Sequence, residues 1–119
     1  MNNRFRILLY VITAYLTFLG VMFLLAPDTF ASMMKLESLP DKVLNILYGQ
    51  VMLTFAYVGY MAASSGESRV SRALLALTVG HVIVFGYLLG SGMQSFEQVG
   101  PPMIINLLFS VLQLMWRNK

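Results

Sequence analysis

Four stretches of this chain, 7–26, 43–63, 73–92 and 101–116, contain no Asp, Glu, Lys or Arg, and all thirteen charged residues lie between or beyond them. A transmembrane helix needs about 20 predominantly apolar residues, so each stretch is read as one membrane span. The fourth is the shortest; it crosses only if Val99 and Arg117 at its flanks help, by local thinning of the bilayer or by snorkelling of the Arg. Composition agrees: 58% of residues are apolar and 11% charged, where a soluble domain carries about 45–50% and roughly 25%. The mean hydropathy is +0.73. Four spans take about 80 residues of the 119. A fifth span does not fit, and no length remains for a separate soluble domain. The expectation is a single membrane domain over 1–119, and the absence of cysteine excludes a secreted disulfide scaffold.

The four prolines, Pro27, Pro40, Pro101 and Pro102, fall at the span boundaries, where unbroken helices stop and start. Ser38-Leu-Pro-Asp41 reads as an N-terminal capping sequence for the second helix, and Gly66 suits its C-terminal end. Gly100-Pro-Pro is expected to put both prolines in the first turn of the fourth helix. The N-terminus imitates a secretory signal, but its apolar run exceeds the 7–15 residues of a signal peptide and Pro27 follows Ala26, so it is read as a retained span. In the first loop, Thr29-Phe-Ala-Ser-Met-Met-Lys-Leu36 places Phe30, Met33 and Met34 on one face of a helical turn. It reads either as a segment lying flat on the membrane or as an irregular loop.

Basic residues set the orientation. Arg4, Arg6, Arg69, Arg72, Arg117 and Lys119 fall on one side, six in all, against Lys35 and Lys42 on the other. By the positive-inside rule both termini are expected in the cytoplasm. The net charge of +3 and the pI near 9.5 follow from that topology. No basic patch suggests a nucleic-acid partner.

Uncharged polar residues recur at helical spacing. Arg6, Tyr10, Thr13, Thr17 and Gly20 follow one another at steps of 4, 3, 4 and 3. The second span has Gln50, Thr54 and Tyr57, the third Thr78 and His81, and the fourth Asn106, Ser110, Gln113 and Arg117. Each span therefore carries one polar seam. In lipid such seams are expected to turn inward, because a polar group facing acyl chains loses its hydrogen bonds. The expected fold is an all-α integral membrane protein, an antiparallel four-helix bundle. Two readings of its interior stay open: interhelical hydrogen bonding that holds the bundle together, or a ligand cavity or polar pathway.

His81 is the one histidine and the most deeply placed strongly polar residue. An ionisable group at that depth is a functional-site candidate. Three roles compete: a structural imidazole satisfied by its neighbours, a proton-handling or substrate-contacting group, and an axial ligand to haem b, which needs only one histidine. Zinc wants three or four ligands and finds too few. The ligand-binding candidates are His81, Gln50, Asn106, Tyr57, Thr78 and Gln113. Gly86-Tyr-Leu-Leu-Gly90 is a small-xxx-small pattern suited to close helix packing, within the bundle or between copies, and Gly49, Ala56, Gly59 and Ala63 supply small positions on the second span. With every acid outside the spans, no Ser-His-Asp arrangement forms, and no phosphate loop or dinucleotide fingerprint occurs.

Phe23-Leu-Leu-Ala-Pro-Asp-Thr-Phe30 closing the first span, the glycine-containing second span, and Ser68-Arg-Val-Ser-Arg-Ala-Leu-Leu75 leading into the third resemble the small bacterial four-helix membrane proteins called DoxX-like. The resemblance implies a four-helix fold in a bacterial inner membrane. It implies no activity, and no catalytic residue is carried over from it. Three functions compete: a structural or accessory subunit of a membrane complex, a binder or enzyme for a small lipophilic molecule, haem-dependent or not, and a small transporter. Small multidrug exporters match the last in length and span number, but they use a Glu in the first span, and this first span has no acid. The expected partners are membrane lipid, a lipophilic small molecule, and a second or third copy of the chain or a larger membrane complex.

Overall fold

The structure, a computed structural model, describes residues 2–26, 28–29, 32, 42–67 and 69–117, with the backbone alone for 42–45. It contains four long helices: α1 (Asn3–Leu25), α2 (Lys42–Ser65), α3 (Arg72–Gly90) and α4 (Phe96–Trp116). Among the described residues no strand occurs, and all four helices are long and apolar enough to cross a membrane. Even α3, with 19 residues, spans about 28 Å at 1.5 Å per residue, close to the ~30 Å hydrocarbon core. The segment Thr29–Leu36 and the capping sequence Ser38–Asp41 lie outside the described residues, apart from Thr29 and Ser32.

Local chemistry explains the ends. Asn2 caps α1: its side-chain oxygen accepts from the Phe5 N–H at 2.8 Å, and its amide donates to the Trp116 carbonyl at 2.6 Å. One side chain thus starts α1 and ties it to the end of α4. Past α2, Gly66 takes φ +77° and donates to the Ala62 carbonyl at 3.0 Å, as expected of a glycine closing a helix.

The start of α4 differs from expectation. The helix begins at Phe96, with Pro101 and Pro102 inside its second turn and not in its first. Ser95 and Gln98 form a capping box, the Gln98 carboxamide oxygen accepting from the Ser95 N–H at 3.1 Å. At these positions the prolines withhold the i−4 donors of the Glu97 and Gln98 carbonyls.

Packing pairs the helices unevenly. α1 lies along α2 and α3 along α4, while the two pairs meet more lightly. The α1–α2 seam is set by small residues. A Cβ on Gly20 would stand 2.6 Å from Leu53 Cγ and 3.0 Å from the Gly49 carbonyl, and one on Gly59 would overlap the Thr13 hydroxyl. Missing side chains there let the backbones approach. Gly49, Met52, Ala56, Gly59 and Ala63 consequently make the buried face of α2.

That face excludes the polar one. Gln50, Thr54 and Tyr57 are exposed, so the α2 seam faces out of the bundle and not inward. A helix presents one face to its partner, and the small-residue stripe takes it. Gln50 and Thr54 satisfy each other locally, the amide donating to the Thr54 hydroxyl and that hydroxyl to the Gln50 carbonyl, both at 3.0 Å.

The α4 seam does turn inward: Asn106, Ser110 and Gln113 are buried. Thr78 on α3 donates to the Leu75 carbonyl and accepts from Ser110 at 3.0 Å and from Gln113 at 3.1 Å. Near the same end as Asn2 and Trp116, Arg117 donates to the Ser71 hydroxyl at 2.9 Å, and its guanidinium sits 5.0 Å from the Phe5 ring centre. Burial, and then the charge of Arg72, lower the Arg117 pKa from its usual value.

A candidate lipophilic-ligand cleft

Between the two helix pairs lies a cavity of about 660 Å³, within the roughly 300–1,000 Å³ of small-molecule sites. It runs along the second half of α1, the middle of α3 and the proline-bearing start of α4, with Tyr48 entering from α2. The gap has a local cause. On the α3 wall stand Ala76 and Gly80, and a Cβ at Gly80 would meet nothing within 4 Å among the described residues. Aromatic rings supply much of the remaining wall, from Phe18, Phe23 and Phe85.

Five polar side chains interrupt that surface: Tyr15, Tyr48, His81, Gln94 and Asn106. His81 and Tyr48 form the organised part. The His81 Nδ1 lies 2.8 Å from the Leu77 carbonyl, and Nε2 lies 2.5 Å from the Tyr48 hydroxyl oxygen. A carbonyl only accepts, so Nδ1 carries a proton. In the neutral imidazole Nε2 is then an acceptor, and the Tyr48 hydroxyl donates to it. The pair is braced by rings on both sides, Phe85 with its centre 5.7 Å from the imidazole and Phe23 at 4.9 Å from the Tyr48 ring. Tyr15 packs edge-on against Phe109 at 5.5 Å.

Asn106 donates its amide to the Pro102 carbonyl at 2.8 Å, which leaves its carboxamide oxygen without a partner among the described residues. The Tyr15 hydroxyl likewise makes no hydrogen bond among them. Gln113 is fully buried, and its side-chain oxygen has no partner either, but it belongs to the α3–α4 contact and does not line the cleft.

The sequence candidates therefore separate. His81 and Asn106 line the cleft, Thr78 and Gln113 join α3 to α4, and Gln50 and Tyr57 face outward. Gly86 and Gly90 have nothing within 4 Å of a Cβ position among the described residues, so the close packing considered for them within the bundle is not seen there. Tyr15, Tyr48 and Gln94 are lining residues that sequence spacing did not single out. Tyr48 stands beside the Gln50 seam and not on it, and nothing in its spacing ties it to a histidine on another helix.

Chemically the site can hold an apolar body and recognise a polar head. Among the described residues no group of three or more His, Cys, Asp or Glu could hold a metal ion. His81 would hold a haem group only by giving up the hydrogen bond between its Nε2 and the Tyr48 hydroxyl. No protein-family model, no curated protein and no solved structure matches the chain.

Proposed function

We propose that this chain is a multi-pass protein of a bacterial inner membrane that holds a small lipophilic molecule in the cleft between its two helix pairs. The observation that carries the reading is the cavity itself: aromatic and aliphatic walls, a Tyr48–His81 hydrogen bond, and Asn106 lining the same space. An apolar pocket with a few converging polar groups is the usual form of a small-molecule site. Hydrogen bonding across membrane helices contributes only about 0.6 kcal/mol on average, so stability alone is a weak reason to keep these groups beside a void.

The membrane placement is an antiparallel bundle with both termini cytoplasmic. It is supported by the six-to-two division of basic residues. It is supported further by contacts whose residue numbers run in opposite senses, Thr13 with Gly59 and Gly20 with Gly49. The DoxX-like resemblance of the loop-flanking segments points to the same membrane.

A second reading, an accessory subunit or homo-oligomer, is favoured by the outward face of α2. Gln50, Thr54 and Tyr57 are exposed on a helix long and apolar enough to span, and polar groups there gain from a neighbouring helix. Gly86 and Gly90 on α3 are open to a close approach. Mass spectrometry of protein extracted gently from its membrane tests the first reading. A stoichiometric lipophilic molecule, depleted in a His81→Leu sample, is the expected result. A mass with nothing beyond bulk lipid counts against the cleft reading, and a native oligomer in the same spectrum supports the second.

A further inference from the structure

We infer that the head group recognised in the cleft is a neutral hydroxyl, so that the ligand class is a lipophilic alcohol or phenol. This rests on the cleft reading above and follows from an inventory of donors and acceptors. The Tyr48 proton is committed to His81 Nε2, because Nδ1 gives its own proton to the Leu77 carbonyl. What Tyr48 presents to the cavity is an oxygen lone pair. One Asn106 N–H is committed to the Pro102 carbonyl, which leaves its oxygen and its second N–H for the cavity. Two acceptors line one apolar cavity, and a buried acceptor left unmatched is costly. The ligand head must therefore donate.

Charge narrows the class. A carboxylate leaves both acceptors unmatched, and the spans contain no Lys or Arg to compensate its charge. An ammonium donates, but the spans contain no Asp or Glu to compensate its charge, and an unpaired charge in apolar surroundings costs far more than a hydrogen bond returns. A neutral hydroxyl donates once and accepts once. The Tyr15 hydroxyl, which lines the same cavity and has no partner among the described residues, is a donor for that second bond.

His81 acts here as a positioning residue: it fixes the direction of the Tyr48 proton. Removing the imidazole returns that proton to the cavity and turns the Tyr48 end of the site from acceptor to donor. An ether, which only accepts, should then lose its disadvantage at the Tyr48 end and keep it at Asn106.

The test uses full-length protein in phosphatidylcholine nanodiscs, with 1-tetradecanol, methyl tetradecyl ether and tetradecanoate as probes. Retention is measured against empty nanodiscs to remove simple partitioning. The wild type should hold the alcohol about 10-fold better than the ether, with tetradecanoate weakest. In His81→Leu the alcohol-to-ether ratio should fall to about threefold, the share that the Asn106 oxygen still supplies. In Asn106→Leu, which removes one acceptor and an N–H open to alcohol and ether alike, the ratio should drop about threefold. Each ratio is internal to one sample, so a loss of folded protein does not imitate it. The wild-type ratio decides the matter even if a variant does not fold. Equal, specific retention of alcohol and ether by the wild type overturns the hydroxyl inference and leaves the cleft reading standing. No retention of any probe above empty nanodiscs overturns both.

Discussion

Tyr48 on α2 and His81 on α3, 33 positions apart in the chain, are joined by a 2.5 Å hydrogen bond from the phenol to Nε2. The bond crosses between the two helix pairs at the edge of the cavity, where the pairs otherwise touch little. It links helices and orders a polar head at once, and variants separate the two effects. His81→Leu should lower the melting temperature only slightly, because one interhelical hydrogen bond in a membrane is worth about 0.6 kcal/mol on average. Retention of the co-purifying molecule should weaken severalfold. Gln50→Leu, on the outward face, should leave retention unchanged. Loss of retention in both would mean that the effect is not local to the cleft.

The glycines divide into two kinds. At Gly59 an added Cβ meets Thr13 and, at 3.1 Å, Leu74, whereas at Gly86 it meets nothing within 4 Å. Gly59→Ala should destabilise the fold by about 1–3 kcal/mol, the usual cost of overpacking. Gly86→Ala should be neutral for the single chain. Thermal unfolding in one detergent checks both, and equal stability of the two variants would remove the glycine seam as the device that joins α1 to α2.

Thr78 and Gln113 should respond asymmetrically. The Thr78 hydroxyl accepts from both Ser110 and Gln113. Ser110 keeps the Asn106 carbonyl as an acceptor at 2.9 Å, so Thr78→Val strands one buried donor, the Gln113 amide, at about 1–3 kcal/mol. Gln113 already has an unpartnered oxygen. Gln113→Leu removes that liability with the bond and should shift stability by less than about 1 kcal/mol. A larger loss from Gln113→Leu than from Thr78→Val would reverse the assignment of Thr78 as the hub.

These contrasts mark what could be read from the chain alone. Charge-free stretches locate the four helices well, since a bilayer forbids unpaired charge. They bound the spans, however, and not the helices, so α1 starts back at Asn3, through Arg4 and Arg6, and α4 at Phe96. The Ser95-Phe-Glu-Gln98 capping signal was present in the sequence, but the prolines after it read more loudly as a start. Helical spacing shows that Gln50, Thr54 and Tyr57 share a face. Which face turns inward is decided by competition with Gly49, Ala56 and Gly59 for contact with α1, a tertiary quantity. Tyr48 was not legible for the same reason: its partner lies on another helix, and its own neighbours carry no pattern that points there.

Topology is checked by accessibility. Single cysteines at Ser38 and Ser95 should react with an impermeant thiol reagent applied to intact cells, and one at Ser65 should not, given the basic residues Arg69 and Arg72 that follow it. Labelling at Ser65 would invert the bundle.

Occupancy of the cleft is the most direct test. Gly80 lines the cavity and has open space where a Cβ would stand, so Gly80→Phe puts a ring into the void. Ile83→Phe, on the exposed side of the same helix, adds a ring outside it. With a photoreactive long-chain alcohol in nanodiscs, cross-links to α1 around Tyr15 and Leu19 should appear in the wild type and in Ile83→Phe and disappear in Gly80→Phe. Equal cross-linking of all three proteins would show that the probe sits in bulk lipid and that the cleft holds nothing.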